Sequence, residues 1–264
     1  MFESHRIFVH LPYTLLQKYR PLLAKMGLAI EFLIEAEHLG VAKLESLAEE
    51  IREVKEISGR VAIHAPYEEL DPGHPEEAER EEALRLLTLT CGLAQAIGAS
   101  YVVVHSGYEP TRAGDDPAGW LQRSLATWKA LLEQPASLGV ILALEHTFEP
   151  DPSILRTLME NLPGDRVGVC LDTGHLNCFA KAPPSEWWLT LGARIAVIHL
   201  HDNGGAEDEH LGIGQGTFDF DSLFRWLKRS NVRPFGSIEG RDPKAVAESL
   251  AALGYPVDEA LLGG

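Results

Sequence analysis

Short apolar runs recur along the chain, most of them unbroken, and each is followed by a longer stretch whose apolar positions return with helical spacing. The runs are RIFVHL (6–11), LAIEFLI (28–34), RVAIHAP (60–66), YVVVHSG (101–107), VILALEH (140–146), RVGVCLD (166–172), RIAVIHL (194–200) and FGSIEG (235–240). Val, Ile and Leu without polar alternation mark parallel strands covered on both faces. The segment at 76–98 carries carboxylates in its first turns and Gly98 at its end, which suits the helix dipole and a left-handed cap. The segments at 116–134 and 242–254 both begin with Asp-Pro, an N-cap followed by a residue suited to the first turn.

Strand and helix alternating eight times predict an α/β fold of the (β/α)8 TIM-barrel type. No Ser/Gly linker or charge block divides the 264 residues, so one domain over 1–264 is expected. The alternative is an open doubly wound sheet, but no GxGxxG follows the first run.

The carboxyl ends of parallel strands in a barrel meet at one mouth. Here the third run ends in His64, the fourth in His105, the fifth in Glu145 and the sixth in Asp172, with His175 three residues on. The seventh ends in His199, its loop adds Asp208 and His210, and the eighth ends in Glu239. One histidine at a strand end is ordinarily a hydrogen-bonded structural residue, and Asp172 in LDTGH could simply cap a helix. Six successive strands ending this way exceed what capping requires. A rim of unpaired carboxylates and imidazoles repels itself and loses solvation, so divalent cations are expected among these nine residues.

Other candidates carry less. His10 could line the pocket or the core, and His5, His38 and His74 read as surface or loop positions. His146 is expected to turn outward or support a neighbour, and His201, out of phase with His199, to stand aside. Trp187, Trp188, Phe218 and Tyr108 could stack on a sugar face, although packing is the commoner fate of Trp187 and Trp188. GIGQG (212–216) could offer backbone N–H groups to a phosphate or merely permit a tight turn.

The composition is globular, with 45% hydrophobic and 23% charged residues. No apolar run approaches the ~18 residues of a membrane span, and the N-terminus lacks the pattern of a secretory leader, so cytoplasmic residence is expected. Cys91, Cys170 and Cys178 form no even framework and no CxxC pair, so reduced thiols are expected. The net charge of −16 repels nucleic acid at long range. Arg112, Lys181 and Arg241 stand singly, without the basic stripe of a DNA enzyme.

The motifs HAPY (64–67), VVVHSG (102–107), LALEHT (142–147), CLDTGH (170–175), IHLHDN (198–203), DEHLGIGQG (208–216) and SIEG (237–240) resemble the xylose isomerase-like TIM-barrel superfamily. That superfamily unites sugar isomerases and epimerases with abasic-site nucleases of the endonuclease IV type. In the isomerase branch one divalent ion is held by residues matching Glu145, Asp172, His199 and Glu239. In the nuclease branch three zinc ions are held, and the additional ligands match His64, His105, His175, Asp208 and His210. The resemblance thus implies one to three ions, Zn²⁺ first by its mixed donors and Mn²⁺ second.

The favoured reading is a metal-dependent sugar or sugar-phosphate isomerase/epimerase. Glu145 and Glu239 would act as base and acid, and His175 would hold a substrate hydroxyl. The alternative is a multinuclear zinc phosphodiesterase or abasic-site endonuclease, with Tyr67 matching that branch's pocket tyrosine. The segment IEFLIEAEHLGV (30–41) departs from the nuclease pattern, presenting Glu31, Glu35 and Glu37 where the nucleases have a basic and aromatic loop. A third possibility is a non-enzymatic binding protein for a small polyol or sugar acid.

Overall fold

The computed structural model describes residues 2, 6–68, 70–114 and 116–257. His5 and the two ends of the expected domain lie outside them. Each expected run corresponds to one strand, the first extending one residue past its run: β1 (Ile7–Pro12), β2 (Ala29–Leu33), β3 (Val61–His64), β4 (Val102–His105), β5 (Leu142–Glu145), β6 (Val167–Asp172), β7 (Ile195–Leu200) and β8 (Phe235–Ile238). All neighbours pair in parallel, and β8 pairs with β1 to close the barrel.

Around it run α1 (Leu16–Met26), α2 (Leu44–Ser58), α3 (Glu77–Ile97), α4 (Pro110–Ala113) and α5 (Pro117–Glu133). They continue with α6 (Ser153–Asn161), α7 (Thr173–Cys178), α8 (Pro184–Leu191), α9 (Phe220–Arg229) and α10 (Pro243–Ala252). The Asp116 and Asp242 side chains accept the N–H of Gly119 and Ala245, capping α5 and α10, and Gly98 ends α3 with φ of 60°.

The pleat divides the strands between two cores. Ile7, Val9, Ile30, Ile63 and Leu144 belong to the large cluster shared with the helices. Phe8, Ala29, Ala62, Val103, Ala143, Cys170 and Val197 form a smaller apolar cluster inside the barrel. Side chains two residues apart share a strand face. Two positions beyond those interior residues stand His10, Glu31, His64, His105, Glu145, Asp172 and His199. The interior therefore changes from apolar to ionisable within one layer, at the carboxyl ends of the strands. Among the described residues no helix is long and apolar enough to cross a membrane.

Candidate metal centre

The nine rim residues singled out from the strand ends form one connected cluster, in which three donor groups can be distinguished. In the first, His64 Nε2 and His105 Nε2 lie 3.1 Å and 3.4 Å from Glu145 Oε2. In the second, His199 Nδ1 lies 3.0 Å from Glu145 Oε1, 3.2 Å from Glu239 Oε1 and 3.7 Å from Asp172 Oδ2. In the third, Asp208 Oδ2 lies 3.1 Å from His210 Nε2 and 3.5 Å from His175 Nε2. Glu145 belongs to both of the first two groups.

Backbone carbonyls decide which nitrogen three of the histidines present. His64 Nδ1 lies 2.7 Å from the Ala65 carbonyl, His175 Nδ1 2.9 Å from that of His146, and His210 Nδ1 3.3 Å from that of Glu239. With the proton on Nδ1, each donates it to the carbonyl and leaves an Nε2 lone pair facing the carboxylates. That is the outer-shell arrangement of metal-ligating histidines. Asp172 does two things at once: Oδ1 accepts the His175 N–H at 2.6 Å, capping α7, while Oδ2 faces the cluster.

The residues fit divalent cations. Nitrogen and oxygen donors of His64, His105 and Glu145 lie within 4.8 Å of one another, as do those of His201, His210 and Glu239. Mixed imidazole and carboxylate donors suit Zn²⁺ or Mn²⁺. Asp208 Oδ1, buried within the cluster, has no hydrogen-bond partner.

Without a cation, protons supply the compensating charge. Burial opposes the charged form of His175, but Asp172, Asp208 and Glu145 carry it up to about 10. His210 rises against the same burial cost to about 9 through Asp208 and Glu239. Burial likewise opposes ionisation of Glu145, yet His199 and His105 hold it well below the usual carboxylate range.

The expectations for His201 and Glu31 change, and the open ones for His10 and His146 resolve. His201 does not stand aside: it is fully buried, with Nε2 2.9 Å from Asp172 Oδ2 and its ring stacked on His210. A Cβ at position 174 would come within 2.0 Å of that ring, so the glycine of LDTGH makes room for it. Glu31, read as part of an acidic loop, lies inside the barrel beside His199. His10 lines the mouth, 3.7 Å from Glu239. His146 supports a neighbour, its Nε2 accepting the Asp172 N–H at 3.1 Å.

Trp187 and Trp188 are buried packing residues of α8, and Phe218 is buried too. Tyr108 packs edge-on against Trp120. The aromatics that line the mouth are Tyr19, Tyr67, Phe148 and Phe179. Within GIGQG, Gly214 and Gly216 are already engaged, donating to Asp202 Oδ2 at 3.1 Å and 2.8 Å, and Phe218 just beyond donates to its Oδ1 at 3.1 Å. The turn is therefore pinned to a buried carboxylate and does not cradle phosphate through these amides. His210 is the one non-glycine with positive φ among the described residues, at 51°.

A cavity of about 700 Å³ opens above the cluster and continues along Leu15, Tyr19, Leu22 and Leu23. Arg112 and Arg241 are the only Lys or Arg side chains among its described lining. Each sits beside a carboxylate, Glu109 and Asp242 respectively.

Comparisons with known proteins bear on the fold that carries this site. The TTHB071 protein of Thermus thermophilus, from a crystal soaked with ZnCl2, is 27% identical with a TM-score of 0.77, covering 98% of both chains. A D-tagatose 3-epimerase-like protein is 25% identical with a TM-score of 0.80, covering 94% of this chain and 96% of the other. A probable endonuclease 4 of Mycobacterium leprae is 28% identical over 180 residues, which is 64% of this chain and 68% of that relative. The model of the xylose isomerase-like TIM barrel matches residues 22–254, and the chain belongs to that family.

Proposed function

We propose that the chain is a divalent-metal-dependent isomerase or epimerase of a small sugar or sugar phosphate. The observation that carries this reading is the placing of Glu145 and Glu239 at 3.0 Å and 3.2 Å from the same nitrogen, His199 Nδ1. Two carboxylates converge there on one point beneath a concave cavity. Glu145, Asp172, His199 and Glu239 would hold the cation that serves the substrate. A bound cation supplies positive charge beside the substrate oxygens, lowering the cost of the negative charge that builds when carbon loses a proton.

The residues of the chain do the rest. Glu145 takes a proton from the substrate carbon on one face, and Glu239 returns one to the other face. His175 Nε2 faces the basin and holds a substrate hydroxyl. Tyr67, Phe148 and Phe179 wall the mouth and limit water. The similarity to a D-tagatose 3-epimerase-like protein supports the assignment. The paired Arg112 and Arg241 leave no basic stripe for a polynucleotide among the described lining.

A second reading, phosphoester hydrolysis, is favoured by one specific observation. His175, Asp208 and His210 form a further donor group beside the one around His199, as a site for several cations requires. The similarity to a relative named endonuclease 4 points the same way.

Protein loaded with Zn²⁺ or Mn²⁺ and incubated with a panel of ketoses in heavy water tests the choice. Deuterium entering at carbon, without cleavage of bis(p-nitrophenyl) phosphate or an abasic-site duplex, is the expected result. Cleavage without exchange reverses the ranking.

A further inference from the structure

Glu31 is completely buried inside the barrel, and none of the roles above uses it. Its Oε1 faces His199 Nε2 at 3.0 Å, and its Oε2 accepts a hydrogen bond from the Tyr101 hydroxyl at 2.8 Å. The two atoms are close, yet neither Glu31 Oε1 nor His199 Nε2 completes a hydrogen bond, so each is a buried polar atom facing the other. The opposite nitrogen, His199 Nδ1, is the one turned to Glu145, Glu239 and Asp172.

This reverses the rule set by the other histidines. His64, His175 and His210 turn Nδ1 to a backbone carbonyl and present Nε2 to the cluster. His199 presents Nδ1, so its Nε2 points down into the barrel, where the strand carbonyls are committed to the sheet. A side chain from another strand has to accept that proton. Glu31 on β2 is placed to do so, and Tyr101 fixes its second oxygen.

We infer that Glu31, clamped by Tyr101, is a positioning residue that commits His199 to presenting Nδ1 to a bound cation. An imidazole that binds a cation through one nitrogen keeps its proton on the other, and the acceptor of that proton sets both tautomer and ring direction. A flipped ring would move the imidazole nitrogen away from the buried Glu31 carboxylate, and the apolar layer around Ala29 and Ala62 offers no replacement. The inference rests on the metal reading of the site and is independent of which reaction the site performs.

Zinc titration of the metal-free full chain against a competing chromophoric chelator, with ¹⁵N-resolved histidine spectra, tests it. Glu31→Gln is expected to weaken one bound ion about 10- to 100-fold, the usual effect of losing such a partner. The remaining ions should keep their affinity, and the His199 Nε2–H signal should shift. Tyr101→Phe should produce a smaller loss at the same ion. A Glu31→Gln protein with unchanged zinc affinity and an unchanged His199 tautomer overturns the inference. If Glu31→Gln does not fold, Tyr101→Phe carries the test, and wild-type behaviour in it overturns the inference. A wild-type chain that takes up no zinc sinks the metal reading and this inference together; the variant results alone sink only the inference.

Discussion

His201 lies flat against His210, with ring centroids 4.1 Å apart and an interplanar angle of 4°. The contact joins the end of β7 to the loop that carries Asp208, because His201 also reaches Asp172 at 2.9 Å and Asp208 at 3.6 Å. The stack is a brace between two donor groups. Replacing His201 with Ala removes both the brace and the Asp172 partner. Zinc affinity should fall about tenfold, and the thermal midpoint of the metal-free protein should fall with it. Chelator competition and scanning calorimetry would check both.

Glu145 is shared, whereas His105 serves one donor group. Elemental analysis of Glu145→Gln should show loss of at least one ion per chain, and turnover should fall by about 10²–10⁴, the range expected when proton transfer is lost. His105→Ala should keep the ion at His199 and, under the isomerase reading, retain turnover. A collapse of activity in His105→Ala would favour hydrolysis.

Metal uptake should acidify the solution. His175 and His210, raised to about 10 and about 9, are protonated near neutral pH in the metal-free state, and each must shed a proton to ligate. Where a second cation enters the His175, Asp208 and His210 group, zinc added to unbuffered metal-free protein should release more than one proton per chain, measurable with a pH-stat. Release of none would mean that these imidazoles do not become ligands.

Glu149 gives a stability signature. It is buried, accepts from the Ser106 hydroxyl at 2.5 Å and the Thr147 N–H at 2.8 Å, and burial pushes its carboxyl from 4.5 up to about 7. A raised carboxyl favours the folded state fully below about 4.5, and that contribution is lost as pH rises through about 7. The span corresponds to at most about 3 kcal/mol. Glu149→Gln should therefore be more stable than the parent above neutral pH, with the gap closing in acid. Urea unfolding across that range would show it.

Period and strand ends made the barrel and its nine-residue rim legible in the sequence, because both rest on local patterns. The residues it concealed depend on distance or on phase. Glu31 could have been found by counting two positions on from Ala29, the same step that leads from Ala143 to Glu145. It was obscured because Phe32 and Leu33 follow it and β2 reads as a plain apolar strand. His201 follows Leu200, where β7 ends, so strand alternation no longer says where its ring points. Nothing local shows that Asp202 holds the amides of Gly214 and Gly216 across more than ten residues.

His210 adds a constraint on the protein's history. At φ of 51° its backbone tolerates few residues besides glycine, asparagine, aspartate and histidine. Of these, the two that keep a strong donor in place of the imidazole offer oxygen, which harder ions such as Mn²⁺ or Mg²⁺ prefer. Drift at this position is thereby channelled: the turn survives, and on the metal reading of the site the change would fall on which cation the loop prefers.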